Sequence, residues 1–327
     1  MERTLKIMTQ ITRTVLEKYQ VRKNKKQKSE FIAFASEKAE SLGYEVNIED
    51  GTFGAKNIVV GDPAKAKAVF TAHYDTCARV PFPNFITPKN FLIYLLYQLL
   101  ITVVFFFIPL YVICFGAGAV MGYIGVPEVI FDDLIMLIYY AALIVFLALL
   151  VAGPANKHTA NDNTSGVTTL FEIMEAMPNE QKRDVAFIFF DLEEMGLFGS
   201  ASYASKHKDV KKNALVINFD CVSDGENILF ALKKDAKKYE DALRAAFDDS
   251  GSDKVKVKVE SKGVFYPSDQ INFKHGVGVA ALKTSKRFGV LYMDRIHTKK
   301  DVIYREENIE FLTAGSVKLI ERLGAEV

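Results

Sequence analysis

Residues 185–200 read VAFIFFDLEEMGLFGS. Val185 to Phe190 is an unbroken apolar run, the pattern of a strand buried on both faces, and it stops on Asp191-Leu192-Glu193-Glu194. Strands of this kind belong to parallel sheets covered by helices, and the loops at their carboxyl ends carry the site. The same pattern recurs elsewhere in the chain. Ala68 to Ala72 is apolar and ends on His73, and Ala214 to Phe219 ends on Asp220. Lys28 to Leu42 reads as a helix with Phe31, Phe34, Ala35, Ala39 and Leu42 on one face and Gly43 as its stop. Ser165 to Met177, stopped by Pro178, and Glu306 to Leu323 read as further helices. Tyr44 to Ile48 alternates, and the turn Glu49-Asp50-Gly51 leads to Asn57–Val60, a β-hairpin pattern. The expected fold class is α/β, with a mixed, largely parallel central sheet and helices on both faces.

The chain has 327 residues and a formal net charge of +1, so no global basic field favours nucleic acid, which is not an expected partner. Cys77, Cys114 and Cys221 show neither paired spacing nor Cys-x-x-Cys and read as free thiols. Met1-Glu2-Arg3-Thr4 opens a charged stretch without the apolar core of a secretory signal. The Lys-rich segment from Arg22 to Lys28 reads as a solvated helix flank that anionic lipid can also attract.

The middle of the chain is different. No Asp, Glu, Lys, Arg or His occurs from Asn90 to Pro127, or again from Leu134 to Asn156. A helix crossing a bilayer needs roughly 20 apolar residues. Residues 91–115 and 134–151 each fit one span, which predicts a two-helix transmembrane insertion; the alternative is a helical pair buried in a large core. The expected division is therefore 1–88 and 157–327 as two parts of one α/β domain of roughly 260 residues, with 89–156 as the inserted hairpin. Arg79, Lys89 and Lys157 flank the hairpin, whereas Glu128, Asp132 and Asp133 lie between its spans. The positive-inside rule then puts the soluble parts in the cytoplasm.

Five short segments gather hard donors: His73-x-Asp75, Asp162-Asn163-x-Ser165-Gly166, Glu193-Glu194, Asn218-x-Asp220 and Ile296-His297-Thr298. Two imidazoles with several carboxylates suit zinc, or manganese and cobalt, better than a soft metal. Adjacent glutamates provide one group to hold metal and one to move protons.

In these five ordered segments, with Glu193-Glu194 followed by Met195-Gly196-Leu197-Phe198-Gly199-Ser200, the chain resembles the di-zinc aminopeptidase and glutamate carboxypeptidase-like metallopeptidases of clan MH. That group includes secreted leucine aminopeptidases and glutaminyl cyclase, and the likeness covers about residues 28–323. It implies a membrane-anchored zinc exopeptidase that releases N-terminal residues from peptides. His73 and Asp220 would hold one Zn2+, Glu194 and His297 the other, and Asp162 would bridge them. Glu193 would be the general base, and Asp75 would orient His73 through its second ring nitrogen. Gly166 lets the following helix pack closely behind Asp162, and Ser165 sits near its N-cap. Other readings are carboxypeptidase or dipeptidase action, glutaminyl cyclisation with one working zinc, and a catalytically dead receptor or scaffold. His158 and His207 read as surface residues and Cys221 as packing. Gln270 stands where the family commonly has His in a Ser-Asp-His segment.

Overall fold

The computed structural model describes residues 9–82 and 84–325. The Met1-Glu2-Arg3-Thr4 start therefore lies outside the described residues. Nine strands form one mixed sheet: β1 (Val46–Asp50), β2 (Lys56–Val60), β3 (Ala68–His73), β4 (Val185–Phe190), β5 (Leu215–Phe219), β6 (Asn227–Leu232), β7 (Lys256–Glu260), β8 (His275–Thr284) and β9 (Leu291–Tyr292). Their order is β1-β2-β4-β3-β5-β8-β6-β7, with β9 paired to β8. The central β4-β3-β5-β8 block is parallel; β1 and β2 add antiparallel at one side, and β6 runs antiparallel to β8.

Alternation along each buried strand feeds two cores. Phe187 and Phe189 of β4 join Phe31, Phe70 and Phe171 on one face, while Ile188 and Phe190 join Tyr203, Val216 and Phe273 on the other. This two-sided burial is why β4 reads as a continuous apolar run. The helix Lys25–Ser41 begins three residues earlier than its apolar face suggests, because Asn24 and Gln27 form a reciprocal capping box. The helix Gly166–Ala176 is buried on almost every side, between β3 and the helices Gln10–Lys18 and Glu306–Ala325.

Arg22 is fully buried and not solvated. Its guanidinium donates to the carbonyl oxygens of Tyr74 and Tyr19 and stacks over Phe31, 5.3 Å from the ring centroid. Lys28 reaches the buried carboxylate of Asp191 at 2.9 Å. A buried cation needs such partners, and two of them, Tyr74 and Asp191, lie far away in sequence.

Between β3 and β4 the chain makes two long apolar helices, Phe91–Tyr123 and Glu128–Ala152, packed antiparallel through a short turn. The first runs eight residues past 115, through Gly116, Gly118 and Gly122, and the second starts six residues before 134, at Glu128. Gly118 faces Phe131 and Ile135 of its partner. Of their most apolar windows only 6 % and 0 % of residues are buried, so they are not core helices. Both are long and apolar enough to cross a membrane. The chain leaves and re-enters the sheet body at one place: residues 78 and 155 form a β-bridge, Arg79 N–H donates to Pro154 O, and Asn156 N–H donates to Cys77 O.

Candidate metal centre

Three neighbouring parallel strands end side by side. His73 closes β3 opposite Phe190 of β4, and β5 stops one residue before Asp220. The loop after β4 then supplies Glu193 and Glu194. Asp162 arrives on the turn before the helix Gly166–Ala176. A Cβ on Gly166 would collide with the carbonyl oxygen of Phe219, so only glycine lets that helix start approach the end of β5.

Asn163 fixes this junction. Its Nδ2 donates to Phe219 O at 2.9 Å, and its Oδ1 accepts from the amides of Gly166 and Cys221 at 3.0 and 3.2 Å. Ser165 does not cap the helix; its hydroxyl donates to Asn161 O and accepts from Val222 N–H. Asp301 accepts the amide hydrogens of Asn161 and Asp162 at 2.7 and 3.0 Å. Of the five non-glycine residues with positive φ among the described residues, Leu192, Leu197, Cys221 and His297 belong to or adjoin the donor loops. Such backbone costs of order 1–3 kcal/mol per residue and gathers where geometry matters more than stability.

Asp162 Oδ1 lies 3.3 Å from His73 Nε2, and Asp162 Oδ2 lies 3.0 Å from His297 Nε2. Asp220 Oδ1 is 3.5 Å from the same atom of His73, and Glu194 Oε2 is 3.3 Å from that of His297. The donor atoms of His73, Asp162 and Asp220 fall within 4.8 Å of one another, as do those of Asp162, Glu194 and His297 together with Cys77. Glu193 stands with Glu194 beside His73.

Asp75 stands beside the second ring nitrogen of His73: Nδ1 lies 3.1 Å from its backbone oxygen and 3.5 Å from its carboxylate. That carboxylate also accepts from the amides of Glu193 and Glu194.

The donors crowd carboxylates and imidazoles together in a buried site. Burial raises Glu194 to about 8 and pushes Glu193 well above the usual carboxylate range. Burial opposes charge on His297, yet Glu194 and Asp162 outweigh it and lift the imidazole to about 9. His73 is raised for the same reason by Glu193, Asp162 and Asp220. Asp162 is pulled down: burial opposes this, but His297 and His73 prevail. Glu194 Oε1 is buried without a hydrogen-bond partner. Four carboxylates and two imidazoles, all hard or borderline donors, fit divalent metal.

Two hollows meet here. One, of about 330 Å3, lies over the donors and is walled by Gly196, Leu197, Tyr266, Pro267 and Ile296. The other, of about 890 Å3, runs towards the apolar helices. Asn84, Glu194 and His297 line both.

Peptidase family M28 matches residues 148–317. The chain belongs to peptidase family M28. Members of M28 are zinc-dependent peptidases, and the matched span holds Asp162, Glu193, Glu194, Asp220 and His297. His73 precedes it and joins them through β3. Among solved structures, the M28 chain is similar to the LapA aminopeptidase of Legionella pneumophila, with a TM-score of 0.54 and 14% identity over 97% of this chain and 71% of that one. It is also similar to a Zn-dependent exopeptidase from Parabacteroides distasonis (TM-score 0.53, 15% identity, 96% and 94% covered). A third is the glutaminyl cyclase of Bacteroides thetaiotaomicron bound to N-acetylhistamine (0.52, 16%, 95% and 94%). At these identities the likeness is one of fold. No curated protein matches the sequence.

Among the remaining histidines, His158 is exposed, His207 pairs with Glu49 at the surface, and His275 bonds to Asp235 O away from the donors. Gln270 accepts from Asn218 and donates to Tyr266 O, bracing the strand behind Asp220. Cys221 packs with Leu229 and Tyr266. Cys77 and Asp301 are the residues that sequence reasoning missed. Cys77 follows His73-x-Asp75 by two positions, the one signal that could have drawn attention to it.

Proposed function

We propose that this M28 chain is a membrane-anchored di-zinc exopeptidase of the aminopeptidase type, in which Mn2+ or Co2+ can replace zinc. The observation that carries the reading is Asp162, whose two oxygens face different imidazoles. His73 and Asp220 would hold one cation and His297 and Glu194 the other, with Asp162 shared. Bound there, a cation pair supplies Lewis acidity towards a peptide carbonyl and acidifies water. Glu193 takes a proton from the attacking water and hands it to the leaving amine nitrogen. Asp75 holds the backbone of Glu193 and Glu194 in register. The smaller hollow suits one end of a chain. Among the described residues no Lys or Arg lines it to pair with a carboxylate, which favours an amino terminus over a carboxyl terminus.

The exposed apolar helices support anchoring, with residues 89–156 inserted into one catalytic body made of 1–88 and 157–327. Basic flanks and an acidic tip support a cytoplasmic catalytic body. Metal analysis of the detergent-solubilised protein, combined with a peptide-library digest, tests the reading. We expect two zinc ions per chain and loss of N-terminal residues. Cleavage from the carboxyl end, ammonia release from N-terminal glutamine, or metal binding without turnover would each replace it with a different function.

A further inference from the structure

The larger hollow is not accounted for by the metal centre. It is bounded on one side by Asp75, Glu194 and His297, and on the other by Gln98, Ile101, Thr102 and Phe106 of the first apolar helix and Leu150 of the second; Lys23 and Lys28 also line it, their ammonium groups held by Val151 O and Asp191. The helix Phe91–Tyr123 contains one Gln and one Thr, Gln98 and Thr102, and no Ser, Asn or charged residue. These two lie one turn apart, on one face, and both line the hollow. Amide and hydroxyl groups are costly in an apolar span and face a cavity or a partner when they occur there. Gln98 lies about 10 Å along the helix from Phe91 at 1.5 Å per residue, so the hollow sits at the root of the helical pair. The roots are tied to the metal centre: Val80 N–H donates to His297 O at 3.0 Å, and Lys23 Nζ reaches Val151 O at 2.5 Å across the far rim.

We infer that the larger hollow is the subsite for the part of a peptide beyond its first residue, and that it selects apolar sequence. The inference rests on the exopeptidase reading and deepens it. The first residue occupies the smaller hollow, and the peptide passes Asn84, Glu194 and His297 into the larger one. Its apolar side chains lie against Ile101, Phe106 and Leu150. An extended backbone brings N–H and C=O groups that require partners in an apolar cleft, and Gln98 and Thr102 supply a donor and acceptors there. The helical pair is thus a wall of the substrate cleft as well as a tether.

The test uses the full chain in detergent with zinc, and compares leucinamide, whose leaving group is only ammonia and cannot reach the larger hollow, with tetraleucine and with Leu-Ser-Ser-Ser. Wild type should prefer tetraleucine to the polar peptide. Ile101→Trp, which fills the larger hollow, and Gln98→Leu, which removes its amide, should each lower kcat/KM on tetraleucine about tenfold, as changed pocket contacts do. Both should leave leucinamide unchanged within error. Leu99→Ala, on the exposed side of the same helix, should change neither. Gln98→Leu makes the helix more apolar, so it keeps the test alive if the tryptophan variant loses its metal or its thermal transition. Equal effects on leucinamide and tetraleucine, or no effect on either, overturn the subsite while leaving the peptidase intact. A metal-loaded wild type inert on all three substrates overturns the parent reading and the subsite with it.

Discussion

Asp75 accepts the amide hydrogen of Glu193 at 3.1 Å through one carboxylate oxygen, and its other oxygen accepts that of Glu194 at 3.2 Å. One side chain therefore sets the backbone of both glutamates. Asp75→Asn would turn a donor towards one of these amides. We expect zinc to be retained while kcat falls about 10–100-fold, the usual cost of disturbing a group that positions a metal ligand. Wild-type turnover in a zinc-loaded Asp75→Asn protein would show that the contact is idle.

Glu193→Gln preserves size and removes the proton carrier. Metal content should match wild type and turnover should fall about 10²–10⁴-fold. A variant that works within about tenfold of wild type would end the assignment of Glu193 as base.

Asp162→Ala removes a donor from both imidazole groups at once. It should lose more zinc under mild chelation than either His297→Ala or Asp220→Ala, as read by metal analysis after dialysis. Two ions still held per chain would place the shared ligand elsewhere.

Arg22→Met should destabilise the protein without touching a proposed ligand. It leaves Tyr74 O and Tyr19 O without their buried donor, at about 1–3 kcal/mol for each group. A thermal transition unmoved by the substitution would contradict this role.

The apolar helices make a separate prediction. The full chain should stay in the membrane pellet under alkaline carbonate. A tag inserted between residues 125 and 126 should be reachable from outside intact cells, and a C-terminal tag only after lysis. Extraction by carbonate would refute spanning; the reverse labelling would refute the orientation.

The strand ends were legible because burial on both faces forces unbroken apolar runs: Ala68–Ala72, Val185–Phe190 and the strand before Asp220 all deliver the polar residues expected of them. Where a strand carries glycines the signal fades. Gly276 and Gly278 interrupt β8 because Gln270 presses against them, and neither that strand nor its antiparallel partner β6 stands out in the sequence. The span 91–115 was judged by the length a bilayer needs, and the helix runs on to Tyr123. His297 was found by family likeness and not by periodicity, since it lies in an irregular loop. Asp301, Asn161 and Cys77 approach the centre through loop packing, which no local pattern encodes. Arg22 was misread because its partners, Tyr74 and Thr164, are distant in the chain.

Both neighbours of β3 in the sheet, β4 and β5, follow the helical pair in sequence. During synthesis, Ala68–His73 therefore emerges as a bare apolar strand and stays unmatched until both long helices have been made. Chain growth at about 5–20 residues per second makes that an interval of several seconds. Assembly of the sheet is thus timed by the fate of the two helices. A chain whose helices fail to settle carries a sticky strand with no partner, and quality-control machinery should meet it as a nascent chain before any ligand beyond His73 is complete.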